Sequence, residues 1–63
     1  MATEHVTTLR AALAVLVAKR RAIAATLAKS YSDQACDQIA IVQSSIEAVE
    51  RAIRQEQREP PAA

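Results

Sequence analysis

Large apolar residues recur along both halves of the chain at alternating steps of three and four positions. This spacing keeps one face of an α-helix turned toward a partner helix, and the pattern is interrupted around Tyr31. If the chain folds back at Tyr31, the leucines and Ile23 of the first half each meet an apolar residue of the second half, and the two residue numbers add to 62. These inward apolar positions form a core seam: Leu9, Leu13, Leu16, Ile23, Leu27, Ile39, Val42, Ile46, Val49 and Ile53.

The core seam predicts an all-α fold, an antiparallel helical hairpin with helix 1 over about 4–29 and helix 2 over about 33–58. Pro60 disfavours helical geometry in the residue before it. We therefore expect one hairpin domain over 1–59, followed by a Pro/Ala tail over 60–63 that frays.

Polar residues that can cap helices stand near both predicted helix starts. Thr3 is a candidate cap for helix 1. For helix 2 two alternatives remain open, because Ser30 is spaced from Asp33 as in a capping box while Ser32 is a competing cap. Tyr31, between them, is expected to cover the end of the bundle with its ring while its hydroxyl meets water.

The chain is too short for one hairpin to enclose a core. With 63 residues it exposes much surface for its volume, and such small domains depend on disulfides, a metal or oligomerisation. One cysteine, Cys36, cannot form an internal disulfide, and with one histidine, His5, it makes a poor metal-ligand set. We therefore predict a homodimer that forms a four-helix bundle, and we expect no cofactor or metal.

Further sequence features argue against catalysis and against a membrane location. The chain has no Ser/His/Asp grouping, glycine-rich phosphate loop or paired carboxylates, so we predict that it is not an enzyme. The longest uninterrupted apolar stretch, 11–18, is well short of the roughly 20 residues needed to cross a bilayer. No secretory signal pattern begins the sequence, and the free cysteine is typical of a reducing compartment, so we predict a cytoplasmic location.

The two halves of the chain carry opposite charge although the net charge is only +1. Residues 1–31 hold five cations and one carboxylate, whereas residues 32–63 hold six carboxylates and three arginines. The two arms of the hairpin are therefore expected to attract each other, by a few tenths of a kcal/mol for each exposed pair.

Arg20 interrupts the core seam, because it occupies an inward position opposite Val42. A buried guanidinium without a partner would cost several kcal/mol. Three interpretations remain open. The side chain can extend to the surface along its aliphatic stem, it can fix register or oligomeric state, or it can contribute with Lys19 and Arg21 to an anion site.

Helix 1 has a second row of apolar residues on the side that faces away from the core seam. Small residues at such spacing allow another helix to approach closely, although alanine is also simply the best helix former. Val15 favours the first interpretation, because a β-branched residue on a solvated face has no propensity reason to be there. We call this row the alanine stripe: Ala11, Val15, Ala18, Ala22 and Ala25.

In its length and its seven inward positions per helix, the chain resembles the Rop family of plasmid copy-number regulators. That resemblance implies a homodimeric antiparallel four-helix bundle that binds paired RNA hairpins through the outer face of its two first helices. Of the positions that correspond to this RNA-binding face, only Lys19 has a side chain suited to binding RNA. Val15 occupies the position that is aromatic in the family. The positions carried over to this chain are Glu4, Ala11, Val15, Lys19 and Thr26.

Two functions are therefore compared. The leading hypothesis is a small bacterial or phage interaction protein, an adaptor, chaperone or inhibitor, that dimerises and binds another protein through the alanine stripe. The alternative is a Rop-like RNA-binding regulator that uses a basic patch on helix 1, formed by Lys19, Arg20 and Arg21. For Cys36 and His5 the sequence assigns no role.

Overall fold

The computed structural model describes residues 2–58, which form two α-helices packed against each other as a hairpin. Helix α1 spans Ala2–Lys29 and helix α2 spans Asp33–Arg58, with three residues between them. No strand occurs in this part of the chain. The prediction of an all-α antiparallel hairpin is confirmed, and the limits of α2 agree with the predicted ones.

The start of α1 differs from the prediction. The helix begins at Ala2, so Thr3 lies inside its first turn, and the prediction that Thr3 is the cap is wrong. The Thr3 carbonyl accepts a hydrogen bond from the hydroxyl of Thr7 at 2.9 Å, as a residue within a helix does. The predicted tail 60–63 lies outside the described residues.

The connection between the helices resolves the two alternatives for the cap of α2. The Ser32 Oγ accepts a hydrogen bond from the backbone N–H of Ala35 at 3.2 Å, which is the geometry of an N-cap residue. Its carbonyl accepts from the N–H of Cys36 at 3.0 Å, so α2 starts directly after it. The backbone N–H of Ser30 instead closes α1 by donating to the Thr26 carbonyl at 3.2 Å. Ser32 is therefore the cap.

Every residue of the core seam is buried or half-buried in the hairpin. Only four side chains of the described part are almost fully enclosed: Ile23, Ala35, Ile46 and Ile53. The remaining seam residues are half-exposed along the edges of the hairpin. One hairpin thus leaves its core open to water.

The surface area supports the same conclusion. The chain exposes 4843 Å², whereas a compact monomer of 6.8 kDa is expected to expose about 4,000 Å². The excess is roughly 900 Å², comparable to the ~800 Å² that one partner buries in a standard protein interface.

Candidate interaction surfaces

The alanine stripe is exposed along its whole length. All five members are accessible, and Val15, in the first half of α1, is 69% exposed. Because these residues lie on the face of α1 turned away from α2, the hairpin itself makes no use of them. Their chemistry allows close helix packing but no catalysis.

The two lateral sides of the hairpin differ in charge. In an antiparallel helix pair, equivalent flanking positions of the two helices lie on the same side. One side, the charged side, is formed by Arg10, Val17, Arg21, Gln43, Glu47, Glu50 and Arg54. The other side, the neutral side, is formed by Ala12, Val15, Lys19, Thr26, Gln38, Ile41, Ser45, Ala48 and Ala52. Val15 lies where the neutral side borders the alanine stripe.

The structure identifies the partner of Arg20. Its half-buried side chain donates from Nη1 to the Oε1 of Gln43 across the helix interface, at 2.9 Å. Gln43 in turn donates from Nε2 to the Oε2 of Glu47 at 3.1 Å. The guanidinium therefore extends toward the charged side, and an amide links it to a carboxylate. Of the three interpretations of Arg20, extension toward the surface fits this arrangement directly.

The basic patch is spread around α1. Lys19 and Arg21 are exposed and Arg20 is half-buried. Successive residues of an α-helix are rotated by about 100°, so Lys19 and Arg21 point to opposite lateral sides. In one hairpin the three residues form no single surface.

Ile41 is the exposed hydrophobic residue that the sequence analysis missed. It is 65% exposed on α2 although it is as large as the residues of the core seam. A signal for it was present in the sequence, because Ile41, Ser45, Ala48 and Ala52 follow one another at steps of four, three and four. This row lies beside the core seam rather than in it.

The residues around the turn form a local polar contact. Tyr31 is 74% exposed, so the prediction that its ring covers the end of the bundle is wrong. Its hydroxyl donates to a carboxylate oxygen of Asp33, which holds the ring beside the turn. This hydrogen bond, followed by the smaller influence of Cys36, raises the pKa of Tyr31 above its ordinary value of 10.0.

Tyr31 is the single aromatic residue of the chain, so its ionisation can be followed by the absorbance of tyrosinate. We expect Asp33→Asn to lower the titration midpoint, because the phenol then loses its hydrogen bond to a carboxylate and a neighbouring negative charge. Asp37→Asn removes an exposed carboxylate four residues further on and serves as the control. Equal midpoints in the two variants would contradict the Tyr31–Asp33 contact.

The raised pKa of Tyr31 makes the stability of the folded chain depend on pH. Because the pKa of Tyr31 is raised in the folded chain, the contact stabilises the fold below the ordinary pKa of tyrosine. The contribution is lost as the pH rises through the higher folded pKa.

Comparison with protein-family models, curated proteins and solved structures finds no match to this chain. Within residues 2–58 no group of three or more histidine, cysteine or acidic side chains is placed to hold a metal ion. Neither described helix contains a stretch long and apolar enough to span a bilayer.

Proposed function

We propose that the chain is a non-enzymatic interaction protein, a helical hairpin that homodimerises and binds another protein through the alanine stripe of α1. In this role it acts as an adaptor, chaperone or inhibitor. The observation that carries the proposal is the exposure of the whole stripe, with Val15 at 69%, on a face that the hairpin does not use.

The chemistry of the stripe favours a helical partner. Four of its five residues are alanines, whose short side chains let a second helix backbone approach closely and make many van der Waals contacts. Val15 adds a rigid aliphatic group to the row. A partner bound here is held mainly by apolar burial, and such binding depends only weakly on salt.

Replacing Ala18 by glutamate tests this surface. Ala18 lies in the middle of the stripe and is exposed, so the substitution costs the isolated chain only a few tenths of a kcal/mol in helix propensity. A partner helix, however, meets a longer side chain and a charge that it must bury. The original chain is used to capture a partner, which is identified by mass spectrometry. We expect the Ala18→Glu variant to lose this partner while its own melting temperature stays unchanged.

Ala40→Glu is the matched control, because Ala40 is also exposed but lies on α2. Loss of the partner in both variants would contradict the assignment of the stripe. If Ala18→Glu instead unfolds the chain, the stripe belongs to a bundle core. Capture of RNA whose binding weakens steeply with added salt would support the alternative of a Rop-like regulator, since phosphate contacts release counterions.

A further inference from the structure

We infer that a second copy of the chain docks on the neutral side of the hairpin, with the turns of both copies at the same end of the bundle. This inference rests on the homodimer of the proposed function and specifies its contact surface and its orientation. Of the alanine stripe, Ala11, Ala18 and Ala25 remain on the outside of the bundle, whereas Val15, at the border of the stripe, is covered by the second copy.

The neutral side differs from the charged side along the whole of α2. No charged residue occurs in the row that borders the core seam there: Gln34, Gln38, Ile41, Ser45, Ala48, Ala52 and Gln55. The two large aliphatic residues exposed in the described part, Val15 and Ile41, both lie on this side. A second copy can therefore cover both residues while burying few charges.

The hydrogen bonds of Arg20 support the choice of side. Its guanidinium reaches Gln43 at 2.9 Å, and Gln43 reaches Glu47 at 3.1 Å, both on the charged side. The inward cation is thereby directed away from the neutral side. Burial of the neutral side consequently leaves the Arg20 head group accessible at the opposite edge.

The amount of surface suits a second copy. The whole chain exposes roughly 900 Å² more than a compact monomer, which is of the order that each partner buries in a standard interface. A copy docked on the neutral side covers the half-exposed edge of the core seam together with Val15 and Ile41. The open core of one hairpin then becomes the closed core of two.

The net charges of the two halves of the chain favour one orientation. With both turns at one end, α1 of each copy faces α2 of the other, whereas turns at opposite ends place α1 against α1. The α1 half carries five cations and one carboxylate, and the α2 half carries six carboxylates and three arginines. Only the same-end arrangement makes all neighbouring helices opposite in charge. It also places Val15 at the level of Ala48, so that a large residue meets a small one.

Spin labels at the turn distinguish the orientations. In a Cys36→Ser background, Ser30→Cys places a single label on the exposed turn. Helix α1 has 28 residues and is about 42 Å long. Pulsed dipolar spectroscopy should give a label separation of about 10–25 Å with turns at the same end, because neighbouring helices lie 8–10 Å apart. A separation of about 40 Å would overturn the orientation.

A second label position guards against a local effect at the turn. Thr3→Cys, near the other end of α1, should also give a short separation in the same-end arrangement. The absence of any dipolar interaction at both positions, with helical content retained, would mean a monomer. That result would contradict the homodimer of the proposed function, whereas a long separation contradicts only the orientation.

A pair of glutamate substitutions on α2 tests whether the second copy docks on the neutral side or on the charged side. Ala48 and Ala40 are both exposed alanines, on the neutral and the charged side respectively. Ala48→Glu should lower the average mass in sedimentation by up to twofold, toward the mass of one chain, at a concentration where the original chain is dimeric, because the new charge is buried. Ala40→Glu should leave the mass unchanged. Retention of the dimer in Ala48→Glu, or its loss in Ala40→Glu, would overturn the inference.

Discussion

At micromolar concentration the chain should sediment with twice its mass of 6.8 kDa, and its melting temperature should rise with concentration. The physical reason is the open core. Only Ile23, Ala35, Ile46 and Ile53 are almost fully enclosed in one hairpin, which is too few to offset the entropy of ordering two long helices. Association encloses the half-exposed seam residues as well.

The size of the expected effect follows from mass action. A tenfold increase in chain concentration favours a dimer by about 1.4 kcal/mol. With an unfolding entropy of about 2.1 cal/mol/K per residue over two chains, the melting temperature should rise by roughly 5 °C for each tenfold step. Circular dichroism over a hundredfold range of concentration measures this shift. A cooperative melt that does not move with concentration, together with a sedimenting mass of one chain, would contradict the homodimer.

The core seam could be predicted from the sequence because helical periodicity reports directly which positions face a partner. Leu13 and Val49, for example, are placed inward by spacing alone, and both are half-buried in the hairpin. The end of α1 at Lys29 was also predictable. Its beginning at Ala2 was not, because the terminal residues of a helix fray and its limits vary by one or two residues.

The direction in which the Arg20 side chain extends could not be predicted from the sequence. Periodicity gives the position of its Cα on the helix but not the path of a long side chain that can leave the interface toward either lateral side. The amide of Gln43, at 2.9 Å from the guanidinium, decides that path. Gln43 stands one residue after the position opposite Arg20, so the sequence alone gave no reason to choose it over other polar neighbours.

Exposed apolar residues were predicted unevenly. Val15 was identified because it interrupts a row of alanines. Ile41 is harder to identify, because it lies beside the core seam in a row of serine and alanine that differs less clearly from the seam.

The position of Tyr31 was predicted wrongly for another reason. The tendency of an aromatic ring to cover the apolar end of a bundle is weak at an exposed turn. Tyr31 instead donates a hydrogen bond to Asp33, two residues away, and its ring stays exposed to solvent.

Replacing Arg20 by leucine should leave the hairpin intact and raise its stability. A leucine completes the apolar core seam opposite Val42 and avoids the partial desolvation of a guanidinium. Gln43, which is half-exposed, can exchange its lost partner for water. We expect a gain of about 1–2 kcal/mol per chain, which corresponds to an increase in melting temperature of roughly 8–15 °C.

The adjacent Arg21 provides the matched control for this prediction. It carries the same charge but is exposed, so Arg21→Leu should change the stability by no more than about 0.5 kcal/mol. A double-mutant cycle with Gln43→Ala measures the part of the Arg20 effect that depends on the hydrogen bond between the two side chains. If Arg20→Leu lowers the melting temperature while Arg21→Leu does not, the chain from Arg20 through Gln43 to Glu47 stabilises the hairpin by more than the guanidinium costs. In that case an inward cation held between two helices becomes a candidate anion site, and sedimentation of Arg20→Leu would show whether the same residue also sets the oligomeric state.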